Sequence, residues 1–132
     1  MPFFRKRKQK INGKWYPQAV VKGKTMTTDE VAGRLSELST VTPGDAYAVL
    51  KNLAFVLSEG MRSGRAVKLE GLGTFRYSCI ARGRGADSPE EVTPAQIEGV
   101  RIRFTPERQY GLGRACRRPL IDHEMEWIAL EE

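Results

Sequence analysis

A double-glycine stretch at residues 66–75, AVKLEGLGTF, constrains the fold of this chain more than any other segment. The pattern predicts a short strand at residues 66–69, a tight corner from Gly71 to Gly73, and a second strand after the corner. Glycine favours such a corner because it reaches positive φ without a clash at Cβ. Two helical patterns precede the corner and two alternating strand patterns follow it, so the sequence predicts an α+β fold.

The corner itself has two interpretations. One is a hairpin bend, which many small α+β domains contain. The other is a phosphate-binding loop of the G-x-G-x-x-G type. The residues exclude this loop, because Arg76 occupies the place of the third glycine and a strand pattern follows instead of a helix.

Both helical patterns begin with residues that are typical of helix N-termini. Thr27 and Glu30 have the spacing of a capping box, and an apolar stripe follows them along the first helix. Thr42 and Pro43 are typical of the cap and the first turn of the second helix. The second helix is predicted to run to about Arg62.

The second helix has an apolar arc that is too wide for a simple surface helix. Its apolar residues are Ala46, Tyr47, Val49, Leu50, Leu53, Phe55, Val56, Leu57 and Met61. A chain of 132 residues has little else with which to cover such an arc. The sequence therefore predicts a dimer in which the partner subunit covers this helix.

Two basic strands are predicted beyond the corner. Arg76 alternates with aromatic residues in the first strand, and Arg101 and Arg103 alternate with apolar residues in the second. This alternation predicts antiparallel strands with one buried face, and the opposite face is nearly all positive. Such a face is typical of nucleic-acid contact, and a merely solvated face is the alternative. The polar residues 86–96 between the strands are predicted to form a flexible excursion.

Charge is distributed unevenly along the chain. The net charge is +6, and residues 1–24 carry eight Lys or Arg and no acid. Residues 120–132 carry five acids and no Lys or Arg. The basic excess indicates a polyanionic partner.

The basic N-terminal residues also contain a hairpin signal. Asn12-Gly13 between two extendable runs predicts a two-residue type I′ turn, because both of its central residues need positive φ. Lys6 and Lys8 on the first strand form either a nucleic-acid patch or a lysine-blunted edge. We expect the hairpin to join the folded unit as added strands, because an isolated two-stranded hairpin is marginally stable in water. It would then bring Lys6 and Lys8 near the basic sheet or cover a sheet edge.

The remaining segments carry few chemical signals. Cys79 and Cys116 match no metal spacing and no disulfide framework, which predicts free thiols in a reducing compartment. No run of residues has the length and apolarity of a membrane span or a signal peptide, so a cytoplasmic location is expected. Residues 121–130 are predicted either as a short amphipathic helix or as a disordered acidic tail.

The order of these elements and the residues at the corner resemble the HU/IHF family of bacterial histone-like DNA-binding proteins. Residues 67–75, VKLEGLGTF, are similar to the family's V-x-L-x-G-F-G-T-F, with Leu72 in place of the usual aromatic residue. The resemblance covers about residues 27–108, and the basic hairpin resembles the extension of a divergent HU-related group. It implies a two-helix base, an antiparallel sheet with a β-arm, and an intertwined dimer. In such dimers two arms embrace DNA through the minor groove, and a proline at each tip wedges between base pairs.

The resemblance also implies which residues bind DNA. Those at or near positions that face DNA are Lys68, Arg76, Arg82, Arg84, Arg101, Arg103 and Arg108. Lys6 and Lys8 of the hairpin are accessory candidates, and Pro89 is the candidate wedge at the arm tip. Pro89 stands one residue later than the family's proline, and Glu90 and Glu91 replace basic residues. Carboxylates at the tip repel phosphate and weaken the implied wedge.

Three segments are predicted: a basic β-hairpin extension at residues 1–24, an HU-like DNA-binding domain at residues 25–108, and a C-terminal tail at residues 109–132. The predicted function is non-catalytic, weakly sequence-specific binding of double-stranded DNA in the nucleoid. The protein would act as a homodimer or as a heterodimer with a paralogue, without a cofactor or metal. The alternative is an HU-fold protein-interaction module, which the acidic arm tip and acidic C-terminal residues favour. An enzyme is the weakest interpretation, because His123 is the single histidine and no nucleophile–base set accompanies it.

Overall fold

The computed structural model describes residues 1–110, 116–121 and 124–130. Its helices are α1 (Thr28–Leu38) and α2 (Pro43–Arg62), and two single-turn 3-10 helices span Pro89–Glu91 and Pro94–Gln96. Its strands are β1 (Phe3–Lys8), β2 (Trp15–Val20), β3 (Val67–Leu69), β4 (Gly73–Ala81), β5 (Ile97–Pro106), β6 (Gln109–Tyr110), β7 (Cys116–Arg117) and β8 (Ile128–Ala129). The strand orders are β2-β1-β8 in the N-terminal sheet, β3-β4-β5 in the central sheet, and β6-β7 in a small ribbon. The predicted α+β class is confirmed.

Both helices begin where their caps predict. The Thr27 side-chain oxygen accepts a hydrogen bond of 3.3 Å from the Glu30 N–H, which satisfies one of the free donors at the start of α1. The Thr42 side-chain oxygen accepts one of 3.1 Å from the Asp45 N–H at the start of α2. Helix α2 ends at Arg62, as predicted.

The double-glycine corner joins β3 to β4 as the sequence predicts. Gly71 has φ of 83° and Gly73 has φ of 153°, both in the region that favours glycine. Glu107, which follows β5, holds the corner from the other side of the sheet. Its carboxylate accepts a 2.7 Å hydrogen bond from the Gly71 N–H, and its own N–H donates to the Leu72 carbonyl at 3.0 Å. The corner is therefore fixed by a residue 36 positions away in the chain.

Replacing Gly73 with alanine is expected to destabilise the protein by more than about 2 kcal/mol, because a strained positive φ alone costs about 1–3 kcal/mol. The added Cβ would also overlap the Thr105 carbonyl oxygen and lie 2.9 Å from the ring of Phe104. Chemical denaturation at one fixed protein concentration measures the effect. Gly85→Ala is the matched control, because a Cβ there has nothing within 4 Å. Equal stability of the two variants would contradict the steric account of the corner.

The central sheet separates polar from apolar side chains by the alternation of its strands. Strands β4 and β5 pair in register from Gly73 opposite Pro106 to Ala81 opposite Ile97, with an irregularity at the far end. On the apolar face, Phe75 lies opposite Phe104, with ring centroids 4.8 Å apart. Helix α2 packs against β3 and β4, and α1 packs against α2.

The apolar core of one subunit is small. Among the described residues the buried apolar side chains are those of Ala32, Ala46 and Met61. Several large apolar side chains stay exposed on α2 and on β5, namely Val49, Phe55, Val56, Val100 and Ile102. A single chain therefore leaves much of the predicted apolar arc uncovered.

The N-terminal hairpin forms, but its turn differs from the predicted two-residue turn. The strand pairing ends at Lys8 opposite Trp15, and Gln9 donates a backbone hydrogen bond of 2.9 Å to Lys14 beyond it. The Asn12 side-chain oxygen accepts the Lys14 N–H at 3.0 Å, which a type I′ turn would direct to the Ile11 carbonyl. The competing side-chain hydrogen bond thus opens the turn into a longer loop, in which Gly13 has φ of 67°.

The hairpin strands are not paired with the central sheet in the part of the chain that the structure describes. Strands β1 and β2 belong to a separate sheet, whose third strand is β8 from the C-terminal segment. The short helix, one of the two alternatives for residues 121–130, is absent from the described part of that stretch, which contains a turn at Glu124 and the strand β8.

Strand β8 runs parallel to β1, with Phe3 opposite Ile128. The Ile128 N–H donates to the Pro2 carbonyl at 3.0 Å, and the Leu130 N–H donates to the Phe4 carbonyl at 2.9 Å. Both donors pair with backbone carbonyls along the edge of β1 that would otherwise remain unpaired. This pairing explains why β8 is extended.

Candidate nucleic-acid interface

The pairing of the central sheet brings four predicted cations onto one face. Arg76 on β4 lies directly opposite Arg103 on β5, and Arg101 lies opposite Ser78. Lys68 on β3 pairs with Thr74, which is two residues from Arg76 on the same strand. Because side chains alternate along a strand, all four cations project from the same side. We call Lys68, Arg76, Arg101 and Arg103 the basic face.

The basic face has no acidic partner among the residues that the structure describes. The ion pair that the described residues form joins Arg34 to Glu37 within α1, and neither residue belongs to the basic face. Like charges directly opposite each other, as at Arg76 and Arg103, destabilise an antiparallel pair. A polyanion bound at this face would relieve this repulsion.

Arg108 extends the basic face at the end of β5. It shares an open depression of about 410 Å³ with Lys68, Thr74, Thr105, Pro106 and Glu107. The Glu107 carboxylate in this depression is held by the Gly71 N–H at 2.7 Å. The depression therefore contains two cations, Lys68 and Arg108, and two threonine hydroxyls. The carboxylate beside them is already hydrogen-bonded to the Gly71 N–H.

Arg82 and Arg84 lie in the loop between β4 and β5, which we call the arm loop (residues 82–96). Both side chains are exposed. The Arg82 N–H donates to the Gln96 carbonyl at 2.7 Å, which closes the base of the loop. These two arginines therefore lie at the base of the arm loop, where it leaves the central sheet.

The tip of the arm loop contains local structure within the stretch that the sequence predicts as a flexible excursion. Two 3-10 turns organise it, and the Thr93 N–H donates to the side-chain oxygen of Gln96 at 2.9 Å. Pro89 begins the first turn and is exposed, with the exposed carboxylates of Glu90 and Glu91 directly after it. The candidate wedge thus stands next to two negative charges.

Lys6 and Lys8 lie on β1 of the N-terminal sheet and are therefore not part of the basic face. Lys8 lies opposite Trp15 and Lys6 lies opposite Pro17. The sequence interpretation overlooked Trp15, whose position opposite a lysine depends on the register of the hairpin. It also overlooked Glu107, whose contact with Gly71 joins distant parts of the chain and leaves no local pattern.

Metal-binding groups and membrane-spanning helices are absent from the described residues. Within residues 1–110, 116–121 and 124–130, no group of three His, Cys, Asp or Glu side chains could hold a metal ion. No helix in those same ranges is long and apolar enough to span a bilayer. Cys79 is a free, exposed thiol, and His123 lies outside the described residues.

Comparison with known proteins gives a family and a similar fold. A family model described as "HU domain fused to wHTH, Ig, or Glycine-rich motif" matches residues 3–112. No curated protein matches the chain. A crystal structure from Bacteroides vulgatus ATCC 8482, described as that of a proposed bacterial DNA-binding protein, has a similar fold, with a TM-score of 0.53 and 12% identity. The similarity covers 78% of this chain and 41% of that one, so the present chain spans less than half the length of that protein.

The family match confirms the resemblance to HU proteins, and it includes the N-terminal hairpin as well as the helices and the central sheet. The TM-score supports the fold independently of sequence identity. The match covers most of the chain, and the chain belongs to the family of HU domains fused to a winged helix-turn-helix, immunoglobulin or glycine-rich motif.

Proposed function

We propose that this chain is a non-catalytic protein that binds double-stranded DNA with weak sequence specificity, as HU-type architectural proteins do. The observation that carries the proposal is the basic face, whose four cations have no acidic partner among the described residues. Membership of an HU family supports a DNA partner, and we propose a location in the bacterial nucleoid on the same ground.

Phosphate contact accounts for the weak specificity. Lys and Arg gain affinity by displacing counterions from phosphates, and such contacts carry no sequence information. The side chains among the cations are Thr74, Ser78 and Thr105, which are short and reach phosphate or sugar more readily than base edges. Arg82 and Arg84 carry the contact onto the arm loop, which we propose enters the minor groove.

The functional unit is proposed to be a dimer. Exposed Val49 and Val56 lie seven residues apart on α2 and therefore on one side of that helix. Phe55 on α2 and Ile102 on β5 add further uncovered apolar surface. A second copy that covers these side chains also doubles the cations available to one duplex.

The acidic tip of the arm loop supports a second candidate, an HU-fold module that binds a protein. Asp87, Glu90 and Glu91 are exposed there, and no Lys or Arg lies between Arg84 and Arg101. A basic protein partner would complement this tip, whereas DNA phosphates would be repelled by it.

Binding of duplexes with unrelated sequences, measured by fluorescence anisotropy across salt concentration, separates the two candidates. We expect similar affinities for all duplexes and a log–log salt slope of about −3.6 or steeper, since four phosphate contacts contribute about −0.9 each. A slope near zero, or no duplex binding at low salt, would contradict the DNA-binding proposal and favour the protein-interaction module.

A further inference from the structure

The N-terminal sheet carries both of the chain's two tryptophans on one face. On that face Trp15 lies opposite Lys8, and Phe4 lies opposite Ala19. Trp127, which directly precedes β8, lines an apolar pocket of about 360 Å³ with Phe4, Pro17 and Ala19. Residues 4, 17 and 19 share the face of Trp15 by strand alternation, so both indoles belong to it.

Neither tryptophan is buried, although Trp is a large apolar residue. Trp15 is 65% exposed and Trp127 is 49% exposed. Trp15 and Ala19 are four residues apart on β2, which corresponds to about 13 Å along a strand. The two indoles are thus placed toward opposite ends of one face instead of packing together in a core.

Positive charge accompanies the indoles. Phe4, Lys6 and Lys8 are every second residue of β1 and therefore share one face. Lys6 lies opposite Pro17, between the two tryptophans. The first 24 residues carry eight Lys or Arg and no acid. Lys8 lies opposite Trp15, so the positive end of the face is the end with Trp15.

We propose that this face binds an unpaired nucleic-acid strand, with a base stacked on Trp15 and phosphates held by Lys6 and Lys8. Proteins that bind single-stranded nucleic acid use exposed aromatic rings beside cations, because every base has a flat surface for stacking and every linkage carries a negative charge. A duplex keeps its bases stacked inside, so it can use the lysines but not the indole. The site is separate from the basic face and goes beyond the duplex binding proposed above.

Tryptophan fluorescence of the full chain, titrated with a short oligothymidylate, reports directly on this site, because both tryptophans lie on it. We expect saturable quenching. Trp15→Ala is expected to weaken oligothymidylate binding about tenfold, as loss of one stacked base does, while Trp15→Phe retains most of it. Lys6→Gln with Lys8→Gln is expected to make the salt slope shallower by about 1.4, at about 0.7 for each single-strand phosphate.

Controls separate this site from the basic face and from simple charge attraction. Tyr110→Ala removes another exposed aromatic residue, 73% accessible, and is expected to leave oligothymidylate binding unchanged. Arg101→Ala with Arg103→Ala is expected to weaken duplex binding and to leave oligothymidylate binding unchanged. The duplex proposal and the single-strand proposal can therefore fail independently. Each of four results would overturn the proposal. Two concern the wild-type protein: absence of quenching by oligothymidylate, and equal quenching by heparin. Two concern the Trp15→Ala variant: unchanged oligothymidylate binding, and a changed oligomeric state.

Discussion

Replacing Val56 with glutamate is expected to unfold the protein or dissociate its dimer, with a loss of at least about 2 kcal/mol. In the single chain Val56 is 57% exposed, and an ordinary surface substitution changes stability by only about 0.5 kcal/mol. If a second copy covers this side of α2, the substitution loses the burial of a valine and places a charge in an apolar contact. Thermal unfolding and sedimentation equilibrium at micromolar concentration measure both consequences.

Val92→Glu is the matched control, because Val92 is also a valine, is 64% exposed, and lies in the arm loop outside the proposed dimer contact. Its effect is expected to stay within the range of ordinary surface changes. A wild-type protein that sediments as a folded monomer would contradict the proposed dimer, as would equal stability of the two variants.

Replacing Arg82 and Arg84 together with alanine is expected to weaken DNA binding for all duplex sequences alike. A dimer would lose four guanidinium groups, and the log–log salt slope would become shallower by about 3.6 if all four contact phosphate. The structure places both arginines in the arm loop, where they are exposed and no carboxylate of the described residues is within ion-pair distance. Anisotropy titrations on two unrelated duplexes across salt concentration measure the change.

The matched variant at the tip of the arm loop is Glu90→Gln with Glu91→Gln. It removes two exposed carboxylates per subunit, so affinity for DNA is expected to stay the same or to rise. If this variant abolished binding while the arginine variant had no effect, the acidic tip would be the contact surface, and the protein-interaction module would replace the DNA-binding proposal.

The elements that the sequence predicted correctly depend on neighbouring residues. Thr27 and Thr42 cap the two helices through donors three residues ahead, and Gly71 and Gly73 form the corner because of their own backbone freedom. The alternation around Arg101 and Arg103 likewise determines which side chains share a face. These features could be read from the sequence, because the hydrogen bonds, sterics and periodicity involved act over a few residues.

The sequence could not predict which distant segments pair. The Asn12 side chain takes the Lys14 N–H and changes the hairpin turn, which sets Lys8 opposite Trp15, whereas a two-residue turn would set it opposite Pro17. Glu107 reaches the Gly71 N–H from beyond β5, and no local pattern marks that contact.

The sequence by itself determined the helices, the corner, and the segregation of cations from apolar side chains. Only the tertiary structure decided that β8 joins β1 and that Trp127 therefore lies on the same face as Trp15. The physical reason is that a two-residue strand has too few hydrogen bonds to form alone and becomes extended only where another strand offers free edge groups.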